Sequence, residues 1–258
     1  MNAAWRSRYD AAFETATRAS QLALRYFDGG VGVEWKHDQS PVTIADREGE
    51  QFIRTALLGA FPEDGFLGEE FGDHPGQSGY RWIVDPIDGT RSFVRGIPIW
   101  GTLVGLEYHG ETIAGVVAAP ALGHTWRALR GDGAYRGERR LRVSEVAQLS
   151  QATMFYTNLS WFDRSGKREN FLRLAARVQN HRGYGDFWGH MLVAQGSGEI
   201  MAEAGVHIWD VAAVKPIVEE AGGRFSDWDG QPDIHRPDVV ISNGRLHELA
   251  LQVLSNQS

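Results

Sequence analysis

WIVDPIDGTRSF, residues 82 to 93, decides how this chain is read. The apolar run Trp82, Ile83 and Val84 has the pattern of a buried strand, yet it ends in two acids, Asp85 and Asp88, where neutral turn residues are the norm. Pro86 between them fixes φ and removes a donor, so DPIDGT reads as a stiff turn that aims both carboxylates, and the Ile87 carbonyl, at one point. Two like charges aimed at one point call for a cation. Gly89 and Thr90 then lead into RSFVRG, read as a helix start whose first N–H groups can seat a phosphate.

The chain has 258 residues, 42% of them hydrophobic and 23% charged, which suits one large unit or two closely joined lobes with a full core. No apolar run reaches the roughly 18 residues that a bilayer-spanning helix needs, so no membrane partner is expected. The opening MNAAWRSRYDAAFE lacks the apolar stretch of a signal peptide, and the chain reads as cytoplasmic. With no cysteines, disulfides, zinc-thiolate sites, iron–sulfur clusters and thiol nucleophiles are excluded, and any metal sits on oxygen or imidazole. A net charge of -7 without a basic block argues against nucleic acid as partner.

Helical spacing predicts a first helix over 9–27, with Tyr9, Phe13, Ala16, Ser20, Leu24 and Phe27 on one stripe. After a loop VGVEWKHDQSP, a second helix begins near Thr43 and carries Ala45, Gly49, Phe52, Ile53, Ala56 and Leu57 inward, with Asp46 in its first turn. FLGEEFG reads as a short strand delivering Glu69 and Glu70 to a loop. From Trp82 to Val143 the pattern is that of an antiparallel sheet, with GDGAYRG as a turn and RRLRVSE as its last strand. The remainder alternates: strands at TMFYTN, EIMAEA and DVVISN, and helices at ENFLRLAARV, DFWGHMLVAQG, DVAAVKPIVEEAGG and from Leu246. The fold class is therefore layered α+β.

Acids recur at element boundaries: Asp46, Glu69 and Glu70, Asp85 and Asp88, and Asp210 in IWDVAA. Asp46 and Asp210 have an alternative role as helix caps, and Glu69 with Glu70 as a solvated loop. An all-oxygen donor set of this kind favours Mg²⁺ over zinc or Ca²⁺.

These residues resemble the inositol monophosphatase-like family of Mg²⁺-dependent, lithium-sensitive phosphatases. FLGEE is similar to its Gly-Glu-Glu segment, WIVDPIDGTRSFVRGIP to its Asp-Pro-Ile-Asp-Gly-Thr signature and HIWDVAAVKPIVEEAGG to its Trp-Asp motif; with SPVTIADRE upstream they span Lys36 to Gly223. The resemblance implies an αβαβα sandwich assembled as a homodimer: a single unit over 1–258 whose lobe 1–145 binds metal and phosphate and whose lobe 146–258 carries the leaving-group pocket and Asp210. It implies Glu70, Asp85 and the Ile87 carbonyl on a first Mg²⁺, Asp85, Asp88 and Asp210 on a second, and Glu70 on a third. It gives Asp46 and Thr90 as a hydrogen-bonded pair beside the attacking water, the Gly89 and Thr90 amides as the phosphate seat, and Glu69 as a structural neighbour. Attack would be in line, by a water on the Glu70-side ion, with the Asp210-side ion stabilising the leaving oxygen.

Within that family the stretch YGDFWGH, with RGIPIW and SPVTIADRE, resembles the histidinol-phosphate phosphatase branch of histidine biosynthesis. Asp186, helped by Glu203 seven residues before Asp210, suits a substrate ammonium group; capping its own helix is the alternative. Asp88 and Asp210 would also face the substrate, and Trp188 could wall the pocket. His190 and His207 lack zinc-like spacing and read as structural. Competing readings are an inositol or broad sugar monophosphatase and, from another class, a metal-binding module without turnover.

Overall fold

The computed structural model describes residues 2–29, 32–35 and 41–255. Among the described residues two large sheets and three helical layers alternate, with a separate two-stranded pair beside them. Among the described residues the larger sheet has eight strands, and four of them form its centre: Gly101–Tyr108 lies between Tyr80–Asp88 and Glu111–Ala119, with His124–Leu129 beyond. Its pairings are antiparallel except one, since Gly65–Gly68 runs parallel to Tyr80–Asp88. The second sheet orders Asn180–Arg182, Thr153–Phe155, Ile200–Ala204, Asp238–Ser242 and Arg224–Ser226.

Strand alternation sorts side chains into layers. Trp82 and Val84 point to the first helical layer, where Tyr9, Ala12, Ala16 and Ala19 of the Ala3–Gly29 helix and Ile53 and Leu57 of Ile44–Ala60 cover them. Ile83 points the other way, into a core shared with Phe187, Met191 and Ile217 from the middle helices and with Phe155, Met201 and Ile241 of the second sheet. Phe162, Phe171, Leu246 and Ala250 cover that sheet's outer face. The architecture is thus the layered αβαβα arrangement.

Several local expectations change. The first helix is longer than its apolar stripe and buries small residues at Ala12, Ala19 and Ala23, while Phe13, Leu24 and Phe27 stay half-buried. The predicted loop after it contains an antiparallel pair, Val33–Trp35 with Pro41–Thr43; positions 36–40, including the start of SPVTIADRE, lie outside the described residues. Gly133–Arg136 is a strand rather than a turn, and RRLRVSE contributes only Arg139–Arg140. DVAAVKPIVEEAGG is two helices, Ile208–Val211 and Val214–Glu220, because Pro216 has no N–H to continue the first. The polar edge strand Asn180–Arg182, the short strand Arg224–Ser226 and the helix Leu159–Arg164 carry too little apolar periodicity to be read.

One buried histidine gives the fold a pH dependence. His247 is fully buried between two hydroxyls, with Ser226 Oγ 2.9 Å from Nε2 and Ser242 Oγ 3.0 Å from Nδ1. Ser226 donates to the Asp227 carbonyl, so it accepts from Nε2–H, and Ser242 donates to Nδ1: the network is complete with a neutral ring. Burial, followed by the Arg224 charge, pulls the imidazole down to about 4 from its ordinary 6.5. Between those values the unfolded chain binds the proton that the folded chain refuses. Stability is therefore full above pH 6.5 and is lost as pH falls, by about 2 kcal/mol from pH 7 to 5. Urea unfolding in chelator at both pH values is expected to show that difference against His247→Asn, whose slope should be flatter; equal slopes would remove His247 as the cause.

Candidate active site

The strand Tyr80–Asp88 does not end in a turn after Val84. It continues through Pro86 with a bulge: Asp85 stands opposite Leu103 and Asp88 opposite Gly101, so three steps on one strand match two on the other. Thr102 Oγ1 donates to the Pro86 carbonyl at 2.8 Å, the Ile87 amide donates to Asp85 Oδ1 at 2.9 Å, and the Ile87 side chain is buried against Ala45 and Trp100. The extra residue in the bulge brings both acids to one side. Carboxylate oxygens of Asp85, Asp88 and Asp210 lie within 4.8 Å of one another.

Asp210 arrives from the opposite layer. The segment that carries it presses Ala212 and Ala213 onto a notch formed by the paired Gly105 and Gly115; a Cβ on Gly115 would stand 2.0 Å from the Ala213 carbonyl oxygen. Asp210 also closes a capping box by accepting the His207 amide at 2.7 Å. Burial, then the neighbouring charges of Glu69, Asp88 and Asp210, holds the Asp85 carboxyl well above its ordinary range. Burial, then Asp186 and Asp210, does the same to Asp88. A hard divalent cation fits such a set, since it offers the counter-charge that these oxygens lack from one another.

Asp46 is fully buried, with a partner on each carboxylate oxygen. Its Oδ2 accepts from the Thr43 amide and hydroxyl, each at 2.7 Å, completing the helix cap. Its Oδ1 faces Thr90, whose hydroxyl is 3.3 Å away and 2.9 Å from the Ile87 carbonyl. Thr90 begins a four-residue helix after Gly89, which has the left-handed φ of +86°.

The Gly-Glu-Glu stretch turns out differently from the expectation. Glu69, not Glu70, lines the cavity. The parallel register pairs Gly68 with Val84, so one step further Glu69 stands beside Asp85 and shares its side of the sheet. Glu70 falls on the opposite parity, its amide donating at 2.7 Å to Glu50, a buried carboxylate that burial pushes up to about 7.

The cavity, of about 420 Å³, continues from the acidic cluster to the second sheet. Asp186 is on its wall: a Cβ on Gly89 would stand 3.3 Å from Asp186 Oδ2. The helix N-cap position belongs to Gly185, and the Phe187 amide is taken by Asp88 Oδ2, so Asp186 is not the cap. Burial, then Glu203 and Asp210, pushes the Asp186 carboxyl up to about 7. Glu203 lines the same wall, pairing with His190 Nε2 at 2.6 Å and accepting a hydrogen bond from the Thr157 hydroxyl. Trp188 does not line the cavity; it packs against Trp126 in the core. Sequence reasoning missed Arg91, Thr157, Asn158, Trp161 and Trp209. Only Arg91 had a signal, its place directly after Thr90.

The model of the inositol monophosphatase family matches residues 4–258. A histidinol-phosphatase of Mycobacterium tuberculosis is 44% identical over 250 residues, covering 95% of this chain and 96% of that protein. One from Streptomyces coelicolor is 44% identical over 234 residues, covering 87% and 88%. Among solved structures, the extragenic suppressor protein suhB of Bartonella henselae matches with a TM-score of 0.88 at 30% identity, covering 96% of this chain and 98% of that one.

Proposed function

The chain belongs to the inositol monophosphatase family, and from that premise we propose that it is a metal-dependent phosphate monoester hydrolase whose substrate is histidinol phosphate, released as histidinol and phosphate. The observation that carries the substrate is the carboxylate pair Asp186 and Glu203 on the wall beyond the metal cluster, where a leaving group bearing an ammonium would sit. An ammonium balances the charge of two acids there, which an uncharged polyol does not.

Asp85, the Ile87 carbonyl, Asp88 and Asp210 would hold Mg²⁺, two to three ions in all, with Glu69 taking the part first given to Glu70. When bound, the ions neutralise phosphoryl oxygens and lower the pKa of a water. Thr90 and Asp46 orient that water, and the Gly89 and Thr90 amides receive the phosphate. Asp88 holds the Phe187 amide and so fixes the start of the helix that carries Asp186. The same reading brings a homodimer in the cytoplasm, and a single unit divided functionally near residue 145. Among the described residues, no helix is long and apolar enough to cross a membrane.

Phosphate release from histidinol phosphate, inositol 1-phosphate and fructose 1,6-bisphosphate tests the substrate, with histidinol phosphate expected to give the highest kcat/KM. Asp186→Asn sharpens the test. Asp186 has φ +52°, a conformation that asparagine tolerates equally, so the backbone should hold. Loss of a hydrogen bond to a charged group costs roughly 1.5–3 kcal/mol, or about ten- to 150-fold in kcat/KM for histidinol phosphate, while an inositol ester should be barely affected. A uniform loss on both esters, with a lowered melting temperature, would remove the ammonium role.

A further inference from the structure

Beyond the acids, the cavity wall turns aromatic. Trp161, from the helix Leu159–Arg164, lines both the catalytic cavity and an adjoining one of about 590 Å³ that opens outward past His207 and Trp209. Five residues, Trp161, Gly205, Val206, His207 and Trp209, line both cavities, so the two adjoin along this groove wall.

The indole is held in place. Arg164 stacks with its guanidinium carbon 4.9 Å from the ring centroid. Behind it lies Gly205, whose φ is +81° and where a Cβ would come within 2.8 Å of Trp161 Cε3. Only glycine leaves room for the ring to lie so close to the chain at residue 205. Along the same groove, His207 and Trp209 stack in parallel, with ring centroids 4.9 Å apart and planes 6° from each other. A half-exposed tryptophan held by Arg164 and by the backbone at Gly205, and lining the cavity, is a prepared surface for a planar ring.

We infer that Trp161 is a specificity-determining residue, the aromatic wall that receives a flat, unsaturated ring on the leaving group. The inference rests on the proposed substrate reading and deepens it: Asp186 and Glu203 take the ammonium of an amino-alcohol phosphate, and Trp161 takes the ring beyond it. In histidinol phosphate these two groups lie in that order outward from the phosphate, and the acids and the indole line the same cavity as Gly89 and Thr90.

The experiment uses three esters that share the phosphate and the ammonium: histidinol phosphate, phenylalaninol phosphate and phosphoethanolamine, the last without a ring. Wild-type enzyme is expected to prefer both ring-bearing esters. Trp161→Ala should lower kcat/KM on those two by about tenfold or more and leave phosphoethanolamine within about twofold. Trp161→Phe, which keeps a ring on the wall, should restore most of the loss. Equal loss on all three esters, or no loss on any, overturns the inference, as does a wild type indifferent to the ring. Failure of wild type on histidinol phosphate sinks the substrate reading instead; the ratio of phenylalaninol phosphate to phosphoethanolamine then still decides the role of Trp161. Thermal melts of both variants keep a folding defect from passing as selectivity, since misfolding lowers all three activities together.

Discussion

Asp210→Asn is expected to lower kcat/KM by at least about 10³-fold on every phosphate ester while the protein stays folded. The amide keeps the shape of the side chain and can still accept from the His207 amide, so the capping box survives. What disappears is one charge of the three whose oxygens converge within 4.8 Å. A cation held there stabilises the transition state by several kcal/mol, and each 1.36 kcal/mol is a factor of ten. Stability should move the other way. Asp85 and Asp88 are buried among like charges, Asp210 included, which opposes their ionisation and hence the folded state at neutral pH. Removing one negative charge relieves that repulsion, so in chelator the variant should melt no lower than wild type. With Mg²⁺ added, wild type should gain in melting temperature and the variant much less. A variant that keeps near-wild-type turnover at saturating Mg²⁺ would show that Asp210 is no ligand; one that melts lower in chelator would show that its charge is structural.

Much of this site was legible because its chemistry is written in short contiguous stretches. Pro86 between two acids after Trp82, Ile83 and Val84 identified the centre without any knowledge of tertiary contacts. The form taken by DPID was not legible, since a bulge needs a partner strand and Gly101 and Leu103 are distant in sequence. Which of Glu69 and Glu70 shares the side of Asp85 is within reach of the sequence. Leu67 and Ile83 pack toward the middle core and Phe66 and Trp82 toward the first helices, so parity alone carries Glu69 with Asp85. That argument requires the parallel pairing of two strands separated by 69–79, a segment that first folds back as the antiparallel strand Gly72–His74, and an antiparallel expectation hides it. Trp161 and Trp209 lay beyond sequence reading for another reason. Tryptophans are most often core, as Trp82, Trp100 and Trp126 are, and nothing in SWFDRSG distinguishes a wall from a core. Trp188 follows Asp186 closely in the chain, but the helix turns it away from its neighbour's face.

Thr90→Ala is expected to lower kcat by about 10²–10⁴-fold, the range for losing a group that positions a proton transfer, with the Mg²⁺ concentration for half-maximal activity almost unchanged. The geometry behind this is one hydroxyl proton with two acceptors in reach, the Ile87 carbonyl at 2.9 Å and Asp46 Oδ1 at 3.3 Å. Asp46 cannot turn away, because Thr43 grips its other oxygen through both amide and hydroxyl. The helix cap therefore doubles as the device that aims a carboxylate at Thr90. If the two act as one unit, their losses do not add: Asp46→Asn with Thr90→Ala should be scarcely worse than Thr90→Ala alone. Thr90→Ser, which keeps the hydroxyl, should recover most of the rate. A purely structural Thr90 predicts the reverse on each count, namely a loss shared between rate and metal affinity, additive effects in the double variant, and no particular rescue by serine. The serine variant separates the two most sharply, because it differs from threonine by a methyl group and from alanine by the one atom that can hold the proton.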